Sequence, residues 1–98
     1  MTLREIAHTR AGDKGVIVNL SVIAFDPKDY PRIAREVTAD RVRDHLAGLV
    51  ERVERYELPA VGALNFVCWR RAGDSVTRSL SLDAHGKSLS SLLLALEI

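Results

Sequence analysis

Residues 9–15, "TRAGDKG", stand between a weakly alternating run at residues 3–9 and the strongly apolar "VIVNLSVIAF" of residues 16–25. How this stretch is read decides the fold. As a turn, it joins two neighbouring strands; as part of a helix or linker, it would separate them. Gly12-Asp13-Lys14-Gly15 breaks the flanking patterns, and glycine supplies the backbone freedom a turn requires. Residues 16–25 are rich in β-branched side chains and apolar on both faces, which predicts a central strand covered on two sides. Asn19 and Ser21 interrupt one of those faces.

Working outward, Asp26-Pro27 and Tyr30-Pro31 mark an exit loop with one helical turn through Ile33 and Ala34. Thr38 is placed to accept a hydrogen bond from a free amide at a helix start. Val42, Leu46, Leu49 and Val53 follow at spacings of four, three and four, an apolar stripe for one helix. That helix must stop before the stripe does, because residues 51–58, "ERVERYEL", carry mixed charges and run into Pro59. This segment is expected to be a strand near a sheet edge, where charge discourages unwanted pairing. Gly62 opens a second buried strand, "ALNFVCW", with Asn65 on the face of Ala63, Val67 and Trp69. Residues 76–83 alternate cleanly, with Arg78 on their apolar face. Leu89, Leu92, Leu93 and Leu96 recur at helical spacing in a C-terminal helix over residues 87–96. The pattern predicts an α+β fold: an antiparallel sheet of four to five strands with two main helices packed on one face.

Ninety-eight residues make one domain over residues 1–98, because so short a chain cannot support two cores. A hydrophobic fraction of 47% with 28% charged residues is that of a globular protein rather than a disordered one. The net charge of +1 leaves no electrostatic footprint for nucleic acid or an anionic membrane, and 5% aromatics weigh against base-stacking surfaces. The start, "MTLREIAH", is charged at once, so no signal peptide is expected. No apolar stretch approaches the ~20 residues of a spanning helix. The lone Cys68 lies in an apolar run, which predicts a buried core thiol in a reducing, cytoplasmic setting.

Chemistry concentrates in three places. Arg10, Gly12, Asp13, Lys14 and Gly15 combine side chains that bond phosphate or carboxylate with glycines that let the backbone approach a ligand. The Gly-x-x-x-x-Gly-Lys-Ser/Thr spacing of a phosphate-binding P-loop is absent. The competing reading is a plain turn with its charges in water. The second place is "DAHGKS", residues 83–88, where His85 and Lys87 precede a helix N-terminus; there Ser88 as a simple cap is the alternative. The third is the pair Asn19 and Asn65, each on an apolar strand. A buried amide must be bonded, so these two bond each other or face a ligand. Arg78 is a further candidate, for Asp13 or for a ligand carboxylate. His8, His45 and His85 are scattered over three elements, so no metal site is expected.

The segments "AHTRAGDKG", "NLSVIAFD", "ERYELPAVGALNFV" and "TRSLSLDAHGKSLSSLLLALEI" together resemble the small ferredoxin-fold domain of the AtuA (acyclic terpene utilisation) family over nearly the whole chain. The family's loop, Arg-Ser-Gly-Asp-Lys-Gly-Asp with an asparagine three residues on, is matched by Arg10, Gly12, Asp13, Lys14, Gly15 and Asn19. Ala11 and Val16 depart from it, removing a hydroxyl and a carboxylate. The resemblance implies a ferredoxin-like sheet and a link to acyl-CoA or organic-acid catabolism. It implies no cofactor beyond acyl-CoA as a substrate, and no assigned catalytic residue. In the family the domain resembles an appendage of a larger catabolic protein. The expectation is therefore an accessory subunit docking on an AtuA-like large chain; the alternative is a structural module that forms a homo-oligomer, a dimer first of all.

Overall fold

The computed structural model describes residues 1–70 and 88–98. Four strands, β1 (Ala7–Lys14), β2 (Ile17–Ala24), β3 (Val50–Leu58) and β4 (Ala63–Arg70), form one antiparallel sheet in the order β1-β2-β4-β3. Three helices, α1 (Tyr30–Glu36), α2 (Ala39–His45) and α3 (Ser88–Leu94), accompany it. The expected strand over residues 76–83, with Arg78, and the turn bearing His85 and Lys87 lie outside the described residues.

Two expectations at the N-terminal end need correction. Residues 3–5 form a 3-10 turn rather than the start of a strand. The first strand instead runs through Gly12, Asp13 and Lys14, and the turn shrinks to Gly15 and Val16, because Lys14 pairs directly with Ile17. Gly15 takes φ +63° while Val16 does not, the glycine-first arrangement that suits a two-residue hairpin. Arg70 fixes this turn from the far end of β4. Its guanidinium donates to the Asp13 carboxylate at 2.6 Å and to the Gly15 carbonyl. Asp13 is thus held by Arg70 on the neighbouring part of the sheet, in the role considered for Arg78.

The alternation of β2 explains its place. Val18, Leu20 and Val22 are buried while Ile17, Asn19, Ser21 and Ile23 are half-buried on the opposite face. In β4, Leu64, Phe66 and Cys68 face the same side as Val18, Leu20 and Val22, with which they pair across the sheet. These side chains meet Ile33 of α1, Val42 and Leu46 at the end of α2, and Leu89, Leu93 and Leu96 from the C-terminal segment in one hydrophobic cluster. All three described helices therefore lie on one face; the sequence predicts two main helices there, and the single helical turn expected through Ile33 and Ala34 is the full helix α1.

The helices stop for identifiable reasons. Val37, at φ −96° and ψ 80°, ends α1, and Arg55 of β3 donates to the carbonyls of Ala34 (2.6 Å) and Val37 (3.1 Å) left over at that end. Thr38 then caps α2 as expected, its hydroxyl accepting from the Arg41 amide at 3.2 Å. Gly48, at φ +91°, turns the chain into β3, so Leu49 and Val53 leave the helical stripe. A register shift between Val50 and Arg52 sets Val53, Arg55 and Glu57 toward the helices and Arg52, Glu54, Tyr56 and Leu58 away from them.

β2 and β3 both run antiparallel to β4, which lies between them; they form a split β-α-β unit. The chain ends meet as well. Thr2 bridges Glu97, the Leu3 amide donates to the Leu96 carbonyl at 2.8 Å, and the Ile98 amide donates to the Met1 carbonyl at 2.9 Å. Taken cyclically from β4, the described elements follow as β-α-β-β-α-β, with α1 and α2 sharing the second helical place. This is the ferredoxin-like α+β arrangement.

Candidate functional site

The period of two along a strand divides the predicted site residues between the two faces. Arg10, Gly12 and Lys14 of β1 point to the side away from the helices, as do Asn19 of β2 and Asn65 of β4. Four rows cross this open face: His8, Ile23, Ala63, Leu58; then Arg10, Ser21, Asn65, Tyr56; then Gly12, Asn19, Val67, Glu54; then Lys14, Ile17, Trp69, Arg52. Neighbouring strands lie ~4.8 Å apart, so Arg10 and Lys14 flank Gly12 on one strand with Asn19 directly opposite it. Five of the ten expected residues are thereby gathered. Asp13 faces the other side, bound to Arg70, and Gly15 sits in the turn. Arg78, His85 and Lys87 lie outside the described residues.

The two asparagines part company. Asn65 is satisfied in part: the Ser21 hydroxyl donates to its Oδ1 at 3.2 Å, leaving the amide hydrogens for something else. Asn19 is half-buried, and its side-chain amide has no hydrogen bond among the described residues. Arg10 and Lys14 are exposed and, among the described residues, have no ion-pair partner. What this part of the face still offers is a set of donors: two cations and two amides. An anion with several acceptor oxygens matches it.

Gly12 is the most informative member. Its φ is not positive, and a Cβ added there would meet nothing within 4 Å. The backbone therefore has no need of glycine, although a strand glycine weakens the sheet. A glycine that the fold does not require is the residue expected where a ligand approaches the backbone closely.

The far side of the face carries charges that are already spoken for. Arg52 lies over Trp69 with 4.6 Å from its guanidinium carbon to the ring centroid, and it pairs with Glu54. The Tyr56 hydroxyl donates to Glu54 at 2.9 Å. That hydrogen bond, more than Arg52, holds the Glu54 carboxyl below its usual range, and the same bond pushes the Tyr56 phenol up. The sequence does not single this ladder out as part of a site, although Arg52, Glu54 and Tyr56 stand at alternate positions and so mark a shared face once the segment is known to be a strand.

Other places offer less. A shallow cleft of about 280 Å³ is lined by Arg43, Asp44, Ala47, Val50 and Glu51. Its one cation, Arg43, is flanked by Asp40 and Asp44, both at 3.8 Å. No group of three or more potential metal ligands occurs among the described residues, and no helix of the described residues is long and apolar enough to cross a membrane. Cys68 is fully buried in the core, and burial pushes its thiol up to about 11. Alkylation needs the thiolate, so the native protein should resist iodoacetamide at pH 8 and react once unfolded in urea. The linkage has a definite sign. Above the ordinary value of 9.0 the unfolded thiol loses its proton while the folded one keeps it until about 11. The unfolded state then binds fewer protons, so stability falls with rising pH across that window. Cys68→Val should remove this part of the alkaline loss, as read by urea midpoints at pH 8 and 10.5.

Comparison with known proteins adds one relationship. The family model described as the AtuA ferredoxin-like domain matches residues 1–98. No curated protein and no solved structure matches the chain.

Proposed function

The chain belongs to the AtuA ferredoxin-like domain family, and from that premise we propose that it is an accessory domain that binds a carboxylate- or phosphate-bearing metabolite on the open face of its sheet. It acts with a larger AtuA-type chain in acyl-CoA or organic-acid catabolism. Arg10 and Lys14 contribute charge, Asn19 and Asn65 contribute amide donors, and Gly12 leaves room for the ligand between them. The observation that carries this reading is the strand glycine that the backbone does not need, set between two cations that have no ion-pair partner among the described residues. The Gly15 turn and Asp13 serve it indirectly, by fixing the register of β1 on β2.

Gly12→Val separates a site from a mere strand. Valine suits a strand, and the space above Gly12 is open, so the melting temperature should stay level or rise. Titration calorimetry with inorganic pyrophosphate and with succinate should show binding to the wild-type chain and at least a tenfold loss in the variant. Equal binding by both would refute the reading. The accessory role is checked by co-purification: a larger AtuA-type chain should be recovered in equal amount with the tagged domain.

A second reading, a structural module that assembles with its own copies, is favoured by the exposure of Phe25, Leu58 and Val61. It requires a dimer in light scattering that Phe25→Ser returns to a monomer.

A further inference from the structure

The open face changes character along its strands. Its cations and amides end with the row Arg10, Ser21, Asn65, Tyr56, and the next row outward, His8, Ile23, Ala63 and Leu58, is apolar apart from His8. Beyond that row lies Phe25, which is 63% exposed; Leu58 is 46% exposed and Val61 68%. The Ala24 amide donates to the Gly62 carbonyl at 3.0 Å, which brings the turn containing Val61 beside the end of β2. His8 stacks on Phe25 with ring centroids 5.4 Å apart and planes 16° from parallel, so the two rings adjoin at this end of the face. Scattered apolar residues need no explanation, but here several adjoin one another and a cationic site.

We infer that the ligand of this face is an amphiphilic carboxylate, with its head group on Arg10 and Lys14 and its hydrocarbon chain along Ile23, Phe25 and Leu58. The inference rests on the anion reading above and names the chemical class that the anion belongs to. Two observations set the match. The donors and the apolar floor follow one another along a single strand direction, as head and tail do in such a molecule. At the head end, the charges without an ion-pair partner among the described residues are positive, which selects an acid over an alcohol or an amine. Length follows from the strand: Ser21, opposite Arg10, lies four residues from Phe25, about 13 Å at ~3.3 Å per residue, so a chain of roughly ten methylenes at ~1.3 Å each spans the floor.

Titration calorimetry on the full chain with butyrate, hexanoate, octanoate, decanoate and tetradecanoate, each below its aggregation threshold, tests this directly. Affinity should rise about twofold per methylene, half of what complete burial of a methylene brings in free energy. The rise should level off near decanoate. Octanol should bind at least tenfold more weakly than octanoate. The double variant Phe25→Ser/Leu58→Ser should flatten the chain-length series while leaving pyrophosphate binding unchanged, and thermal melting should show it folded. Pyrophosphate binding without any chain-length dependence would overturn the inference and leave the anion reading standing. Binding of neither pyrophosphate nor any carboxylate would overturn both. Octanol binding as tightly as octanoate, or loss of dimerisation as the only effect of the double variant, would also overturn it.

Discussion

The double variant Arg10→Ala/Lys14→Ala should lose binding of pyrophosphate and of carboxylates by about a hundredfold, since a hydrogen bond to a charged group contributes ~1.5–3 kcal/mol and each ~1.4 kcal/mol is a factor of ten. The expectation takes the lower end of that range for each residue because both side chains are exposed, where solvent weakens the interaction. Neither has an ion-pair partner among the described residues, so removing them leaves no buried charge behind. Stability should accordingly change by no more than ~0.5 kcal/mol. Titration calorimetry and a urea melt on the same sample check both halves. A large loss of stability with binding retained would make these residues structural. Single variants should each lose about tenfold, and Arg10→Lys should recover less than Lys14→Arg, because only a guanidinium presents two parallel donors to one carboxylate.

The second large effect is in the core. Phe66 is wholly buried at the centre of β4, paired across the sheet with Leu20 on one side and Arg55 on the other. Phe66→Ala should destabilise the protein by about 3–5 kcal/mol, through lost transfer energy and the cavity left under the helices. That is a large part of the ~5–15 kcal/mol typical of a domain this size. The urea midpoint should drop by more than ~1 M, since the slope for small proteins is ~1–3 kcal/mol per M. Phe66→Leu should lose much less. A loss under ~1 kcal/mol for the alanine variant would mean that the sheet and helices do not close on Phe66.

How far the sequence carried this picture depends on how local each cause is. Asn19, Ser21 and Asn65 mark the more polar face of β2 and β4, although a run apolar on both faces predicts cover on two sides and the described residues cover only the side of Val18, Leu20, Val22, Leu64, Phe66 and Cys68. The start of α2 is written in Thr38. These are decided by neighbours within a few residues. The end of β1 is different: Gly12-Asp13 has the composition of a turn, but pairing with β2 and the clamp of Arg70 on Asp13 and Gly15 carry the strand on from Thr9 to Lys14. Arg70 lies 57 residues from Asp13, and no local pattern announces that contact. In the same way α1 ends where Arg55, 21 residues on from Ala34, takes its last carbonyls.

The site follows the same rule. Arg10, Lys14, Asn19 and Asn65 are legible as donors from their chemistry, but the sequence places Arg10 and Lys14 in a glycine turn and the two asparagines apart from them on strands. Their grouping arises from strand periodicity, which also sends Asp13 to the other face. Gly12 reads in the sequence as a turn residue; its value lies in the side chain it lacks. The Arg52-Trp69 stack and the exposed floor of Phe25, Leu58 and Val61 need the sheet order, because each joins residues far apart in the chain.

The most direct test is a backbone and side-chain amide spectrum of ¹⁵N-labelled protein recorded during a titration with octanoate. Concerted shifts of the Arg10, Gly12, Lys14 and Asn19 amides and of the Asn19 and Asn65 side-chain NH₂ groups, with the helices silent, are the predicted result. Saturation with those signals unmoved, or with shifts confined to the helical side or to the cleft around Arg43 and Glu51, would contradict a ligand site on the open face of the sheet.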